Sequence, residues 1–374
     1  MAIKSNWGAT QICCAPKLFP RVFLFVFATL LLPCAVFSQT PYHDITFRPL
    51  EFRQPTSKAE WQRRSTQIRS TAKRLLGDIP PIPAHFEVQI RSKEQRDGYT
   101  LENFTFFNGV DATVFGIILI PNGLTKKAPA VLYNHYHGGE YQHGKDELFK
   151  KNWVNESGVG EALVKEGYIV LAIDAYAFGE RSGKGPNGPE EKNKDEELTW
   201  AKINLWKGRS FWGMIVRDDQ MALSYLASRP EVDASRIATM GMSMGGFRSW
   251  WLGALDARIK VTIAAASITR NQSIMENGAL KSHGIYYYVP QLLQHFDNES
   301  IMACIAPRPF LTLSGKDDRL APVAGMQYIN QQVEAVYRVM GKSEQFKHIE
   351  YEGVKHELTP QMWDEILIFL KSKL

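Results

Sequence analysis

From residue 129 to the C-terminus, short apolar runs alternate with longer amphipathic stretches. The runs at 130–134, 168–173, 236–240, 261–265, 310–313 and 346–351 are bounded by turn residues and predict buried strands. Between and after them, 159–166, 215–228, 244–255, 327–340 and 360–370 carry apolar positions at helical spacing. Such alternation predicts a mostly parallel sheet with helices on both faces. Upstream, Trp61, Ile68, Ala72, Leu75 and Leu76 fall on one side of a helix over 58–76 that stops at Gly77. This helix is expected to wrap the sheet near an antiparallel edge. Pro80, Pro81 and Pro83 then make a stiff connector, and strands follow at 87–91, 99–107 and 112–120, the last two joined by a hairpin turn at Asn108-Gly109.

Two stretches break the rhythm. Residues 175–213 are rich in Gly, Lys and Glu and hold Trp200, Trp206, Phe211 and Trp212; residues 267–303 hold Tyr286-Tyr287-Tyr288. Loops of this length in a compact domain act as lids or binding loops. The tryptophans suit either a sugar-stacking platform or core packing of a lid, whereas Trp250 and Trp251, inside a helical run, are expected in the core.

The first 38 residues form a separate object. Lys4, Lys17 and Arg21 precede an apolar run over 22–32, and Val36-Phe37-Ser38 offers small residues at a cleavage position, the pattern of a secretory signal peptide. The run is too short to span a bilayer, which takes about 20 residues. A lipid anchor on Cys34 is disfavoured by Pro33. Removing this segment takes three basic and no acidic residues, lowering the net charge from +5 to +2 and leaving no field that would recruit nucleic acid. Of the four cysteines only Cys304 stays, so an internal disulfide is excluded. The expected organisation is a signal peptide over 1–38, a helical and β-edge extension over 39–110, and a catalytic domain over 111–374. No integral span is expected in the mature chain, and nothing in the sequence sets its oligomeric state.

The chemistry begins at 237–251, Ile-Ala-Thr-Met-Gly-Met-Ser-Met-Gly-Gly-Phe-Arg-Ser-Trp-Trp, a strand running through Gly-x-Ser-x-Gly into a helix. Gly241 and Gly245 let the backbone turn sharply with the Ser243 hydroxyl at the apex. A serine becomes nucleophilic only when a base takes its proton and an acceptor orients that base. Both partners lie downstream. Asp317 and Asp318 follow the strand at 310–313, and His356 follows the last strand in Glu-Gly-Val-Lys-His-Glu. The order Ser, Asp, His, each just past a strand, is that of the α/β-hydrolase fold. Met244, directly after the nucleophile, supplies one oxyanion N–H by the same logic.

The chain resembles bacterial α/β-hydrolases of the dienelactone-hydrolase and acetyl-xylan-esterase-like group. The likeness lies in Gly179-Glu180-Arg181, in Arg-Pro-Glu-Val-Asp over 229–233 and in Ala-Pro-Arg-Pro over 306–309. It implies an α/β-hydrolase fold and a secreted or periplasmic serine carboxylesterase without a cofactor, acting on a small-molecule or carbohydrate ester, an acetylated polysaccharide among them. It also implies that the acid lies three residues after Gly315 and four before Pro322, which selects Asp318 over Asp317. His135-Tyr136-His137-Gly138-Gly139 resembles the His-Gly-x-Gly-Gly of the group and makes His137 the second oxyanion donor, although Tyr136 replaces its first glycine.

Tyr136, Arg181, Arg270 and Trp212 are candidate substrate-binding residues, with surface ion pairing or core packing as their alternatives. His135, His137 and His143, with Glu140 and Asp146, match no zinc spacing, and no metal is expected. Two other functions fit parts of the pattern. A prolyl-oligopeptidase-like peptidase shares the catalytic half but carries a large propeller, for which about 90 residues before the first parallel strand leave no room. A non-catalytic binding protein on a hydrolase fold has no need of the intact serine, acid and histidine. Dienelactone hydrolysis itself generally uses cysteine. The expected mature chain begins at Gln39, which mass spectrometry of the exported protein checks.

Overall fold

In the computed structural model, which describes residues 50–151 and 157–374, the antiparallel expectation for the first strands and the parallel one for the rest meet in a single sheet. The chain runs through α1 (Lys58–Leu75), β1 (Val88–Arg96), β2 (Tyr99–Phe107), β3 (Thr113–Pro121) and β4 (Ala128–Asn134). Then come α2 (Val159–Lys165), β5 (Ile169–Ile173), α3 (Asn193–Trp206), α4 (Phe211–Ser228), β6 (Val232–Met242), α5 (Met244–Leu255) and β7 (Val261–Ala265). It closes with α6 (Asn271–Glu276), α7 (Asn298–Ala303), β8 (Phe310–Gly315), α8 (Val323–Val339), β9 (Phe346–Tyr351) and α9 (Pro360–Lys373). The signal-peptide residues lie outside the described residues. Among the described residues no helix is long and apolar enough to cross a membrane.

Among the described residues nine strands form one sheet in the order β1-β2-β3-β5-β4-β6-β7-β8-β9. β1, β2, β3 and β5 pair antiparallel; β5, β4, β6, β7, β8 and β9 are parallel. This is the α/β-hydrolase fold. β2 and β3 pair along their whole length on either side of residue 110, so the expected boundary there falls inside one sheet. From β4 the chain crosses to β5 on one side and returns to β6 on the other. Crevices at the carboxyl ends of strands that part in this way are where open α/β sheets bind ligands.

Side-chain alternation along each strand divides the core. Val131 and Tyr133 of β4, with Met240 and Ile263, face α2 and α9, where Leu163, Met362, Trp363 and Phe369 cover them. Ala130 and Leu132, with Leu171 and Ile173 of β5, face Met221, Ala222 and Leu226 of α4. α1 does not wrap the antiparallel edge. Its Trp61, Ile68 and Ala72 join the cluster that holds Ile301 and Met302 of α7, and Arg69 donates to the Cys304 carbonyl at 3.2 Å. The physical reason is that the antiparallel edge offers no apolar groove of its own, since β1 is exposed along nearly all its length.

Residues 175–213 are more regular than a loop, because they contain α3 and the first turn of α4. The buried positions of α3 include Glu196, Glu197 and Asn204 beside Trp200 and Ala201, so its inward face is partly polar and gives no apolar periodicity. The Asn108-Gly109 turn is longer than a two-residue hairpin. The Asn108 side-chain oxygen accepts from the N–H groups of Val110, Asp111 and Ala112, a side-chain-capped turn that buries the asparagine.

Arg248 of α5 and Asp219 of α4 are both fully buried and form a two-point ion pair at 2.6 and 3.0 Å. Removing one partner of such a pair leaves the other charge unmatched in a low-dielectric interior. Arg248→Met is therefore expected to cost about 3–5 kcal/mol in urea unfolding, and adding Asp219→Leu to recover a large part of it.

Candidate active site

Four strand ends supply the site. β6 leads into α5 through Ser243, whose backbone is left-handed at φ 53°. A non-glycine residue is held there only where its surroundings leave no alternative, at a cost of about 1–3 kcal/mol. The flanking glycines explain why this one is held. A Cβ on Gly241 would stand 2.3 Å from the Asn134 carbonyl oxygen, and one on Gly245 would stand 1.9 Å from the same atom. Strand and helix therefore close on the end of β4, and Ser243 is left at the apex with its N–H bound to the Ala265 carbonyl at 2.9 Å. Gly246, the next residue of α5, gives similar room to Ser267.

β8 and β9 bring the other two groups. Gly315 ends β8 where a Cβ would lie 2.1 Å from the Val354 carbonyl, so the loop after β8 packs directly on the loop after β9. His356 Nδ1 lies 2.7 Å from Asp318 Oδ2, and its Nε2 lies 2.8 Å from Ser243 Oγ. A carboxylate only accepts, so Nδ1 carries the proton and Nε2 faces the serine hydroxyl as an acceptor. The second carboxylate oxygen of Asp318 accepts from the Leu320 N–H at 2.8 Å. Asp318 is buried, whereas Asp317 is exposed.

The loop after β4 completes the floor. His135 is buried, with Nδ1 2.8 Å from the Tyr136 carbonyl and Nε2 accepting from the Ala175 N–H at 2.9 Å. Burial and nearby Arg248 hold it well below the usual histidine range, so it is a neutral tie between the ends of β4 and β5. His137 turns its side chain into the cavity wall. Its Nε2 meets Glu197 Oε1 at 3.0 Å, its Nδ1 accepts from the Gly139 N–H at 3.1 Å, and its ring stacks on Tyr286. Met244 opens α5, so its N–H is among the first-turn donors that the helix itself does not use.

Ser243 and His356 open on a cavity of about 630 Å³. Its walls come from both irregular stretches: Lys194, Glu197 and Leu198 of α3 on one side, and residues 281–286 with Tyr288 on the other. Both stretches thus face Ser243 and His356. Glu197 accepts from Tyr141 as well as meeting His137, and it escaped the sequence reading because it sits in an acidic run, Asp195-Glu196-Glu197, with nothing to mark it.

The four candidate substrate-binding residues are not in these walls. Tyr136 is buried beneath the loop, bonded to Glu140 and Lys150. Arg181 is buried in an ion pair with Asp218 at 2.8 Å. Arg270 lies over the Tyr328 ring and donates to the Leu50 carbonyl. Trp212 is fully buried between α4 and its neighbours Trp251 and Tyr286. Arg181 and Trp212 are claimed by buried neighbours, while Glu140 and Lys150 hold Tyr136 and the Tyr328 ring and Leu50 carbonyl hold Arg270. Trp200 is buried too, whereas Trp206 is 91% exposed. Among the described residues no group of three or more His, Cys, Asp and Glu is arranged to hold a metal ion.

A family model described as the Abhydrolase family matches residues 43–365. YtaP of Bacillus subtilis, a candidate hydrolase, is 36% identical over 292 residues, which cover 76% of this chain and 94% of that protein. Two solved structures share the fold. One, a candidate acetyl xylan esterase from Bacteroides fragilis, superposes with a TM-score of 0.68 at 20% identity, covering 87% of this chain and 92% of its own. The other, a glucuronoyl esterase from Solibacter usitatus, has a TM-score of 0.63 at 18% identity, covering 85% and 94%.

Glu147 lies under this floor, bonded to the Tyr133 hydroxyl and accepting from the Tyr136 N–H at 2.7 Å. Burial pushes its carboxyl up to about 8, against the pull of those two bonds. A carboxyl raised on folding holds its proton in the native state after the unfolded chain has lost it. Its contribution to stability is full below the unfolded value and declines as pH rises from about 4.5 to about 8. Glu147→Gln is expected to flatten that decline in urea-unfolding free energies measured across this range.

Proposed function

The chain belongs to the Abhydrolase family, and on that premise we propose that it is an exported serine carboxylesterase of the carbohydrate-esterase kind, acting on acetyl esters of a polysaccharide. The observation that carries this reading is the unbroken line from Asp318 through His356 to Ser243, opening on the cavity. The substrate class is supported by the acetyl xylan esterase and glucuronoyl esterase named among the solved structures of this fold. Export and the division at residue 38 rest on the sequence pattern.

In the proposed mechanism the Ser243 hydroxyl oxygen attacks the ester carbonyl carbon while His356 Nε2 takes its proton. Asp318 keeps the imidazole in the tautomer with Nδ1 protonated and stabilises the imidazolium that forms. The backbone N–H groups of Met244 and His137 face the oxygen on which charge develops, Met244 with the added help of the α5 N-terminus. Collapse of the tetrahedral intermediate releases the sugar alcohol, which takes the proton from His356. Water, deprotonated by the same imidazole, then attacks the acyl-enzyme and frees the acid. Glu197 and the Tyr286 ring hold the His137 side chain from two directions, so α3 steadies the loop that carries the second donor.

Ser243→Ala is expected to lower kcat/KM for p-nitrophenyl acetate by about 10⁴-fold or more with circular dichroism unchanged, and Asp318→Asn by about 10³–10⁴-fold. Asp317→Asn is expected to be near neutral. A fluorophosphonate probe should label the wild type and not the Ser243→Ala chain. A panel of acetylated xylan, methyl glucuronates and proline peptides then reads the substrate, and faster cleavage of either of the last two overturns the acetyl assignment.

A further inference from the structure

The cavity in front of Ser243 carries two lysines that the ester chemistry does not use. Lys194, in the first turn of α3, and Lys281, in the segment on the other side, both line the wall and both are exposed to solvent. Neither has a hydrogen-bond or ion-pair partner among the described residues. Their ammonium groups are therefore free and within reach of a bound molecule.

The other ionisable groups of the wall do not cancel this charge at the point of contact. Glu197 is the one carboxylate among the described lining residues, and it is buried and already engaged, Oε1 with His137 Nε2 and Oε2 with the Tyr141 hydroxyl, each at 3.0 Å. His137 and His356 are held by Glu197 and Asp318, and His283 donates from Nδ1 to the Ala279 carbonyl at 2.9 Å. Asp318 is buried behind His356. Asp195 is exposed and lies outside the wall, turned about 100° around α3 from Lys194, although its charge is felt at Tyr141. A bound molecule thus meets two ammonium groups, each with three donors, and no free carboxylate. Apolar side chains such as Phe247 and Leu320 share the wall, and a cleft with low-dielectric walls concentrates the field of the charges that line it.

A cation in this cavity faces two like charges, and a neutral ester leaves both ammonium groups unused. We propose that the cavity selects an ester borne on an anionic sugar chain, with a carboxylate or sulfate close to the ester held between Lys194 and Lys281. The proposal rests on the esterase reading of the same cavity and narrows it from polysaccharide esters in general to those of acidic polysaccharides. A lysine head is a point charge on a long flexible stem, without the fixed fork of an arginine. The pair therefore selects charge and tolerates differences in sugar geometry.

Acetylated xylotriose, acetylated trigalacturonate and acetylated, sulfated xylotriose serve as the neutral, carboxylate and sulfate probes. The ratio of kcat/KM for the anionic probes to that for the neutral one is expected to fall about three- to tenfold in Lys194→Gln/Lys281→Gln, through KM rather than kcat. Lys194→Arg/Lys281→Arg should keep the wild-type ratio. Raising NaCl from about 20 to about 500 mM should lower the ratio in the wild type and barely move it in the glutamine pair. A ratio that responds for one anionic probe alone identifies carboxylate or sulfate as the group bound. A wild-type ratio indifferent to salt, a ratio unmoved by the glutamine pair, or an equal loss in the arginine pair each overturns the proposal, and the salt series on the wild type decides if the glutamine pair fails to fold. Calorimetry of unacetylated trigalacturonate on the Ser243→Ala chain separates this site from the esterase reading. Salt-sensitive binding there without wild-type turnover of any acetyl ester keeps the anion site and removes the acetyl reading, whereas turnover of p-nitrophenyl acetate with an unmoved ratio does the reverse.

Discussion

The approach of the β6–α5 turn to the Asn134 carbonyl is the constraint from which the site follows. No side chain fits at positions 241 and 245. With both as glycine, the strand and helix close on β4, and the residue between them has to adopt φ 53°. That forced turn lifts the Ser243 hydroxyl clear of the sheet toward His356 and leaves the Met244 N–H at the mouth of α5. Asn134 itself is pinned from the side, its amide donating to Thr239 at 3.0 Å and Ser249 at 2.9 Å. The same event repeats at lower strain where Gly315 lets β8 close on the loop that carries His356.

Around this centre the interior is held by buried charge more than a hydrophobic pattern suggests. Arg248 and Asp219 join α5 to α4, Arg181 joins the loop after β5 to Asp218 of α4, and Lys145 joins the loop after β4 to Asp174 at the end of β5. Each pair costs desolvation and none is needed to bury apolar surface. What they fix is relative position: all three act on the loops and helices at the carboxyl edge of the sheet. Burial raises the carboxyls of Asp174, Asp218 and Asp219 above the ordinary range despite their partners, which shows how strongly the interior opposes charge there.

Much of the fold was legible because its signals are local. Helix α5, strand β7 and strand β9 have the bounds expected from apolar runs and turn residues, and most other elements differ by a few residues at their ends. α3 was not legible, since a helix whose inward face carries Glu196, Glu197 and Asn204 offers no stripe for periodicity to detect. The four candidate substrate residues were misplaced for a related reason. A sequence shows that an arginine stands beside a loop but not that Asp218 or the Leu50 carbonyl already holds it.

By itself the sequence determined the order of elements, the strand ends that carry Ser243, Asp318 and His356, and the glycines that permit sharp turns. These depend on spacing along the chain and on which residues tolerate which backbone. Only the tertiary structure decided that the carboxylate of Asp318 stands 2.7 Å from His356 and that α3 and residues 281–286 with Tyr288 wall the cavity. Those outcomes turn on distances between residues far apart in sequence, set by burial and hydrogen-bond partners that no local pattern encodes.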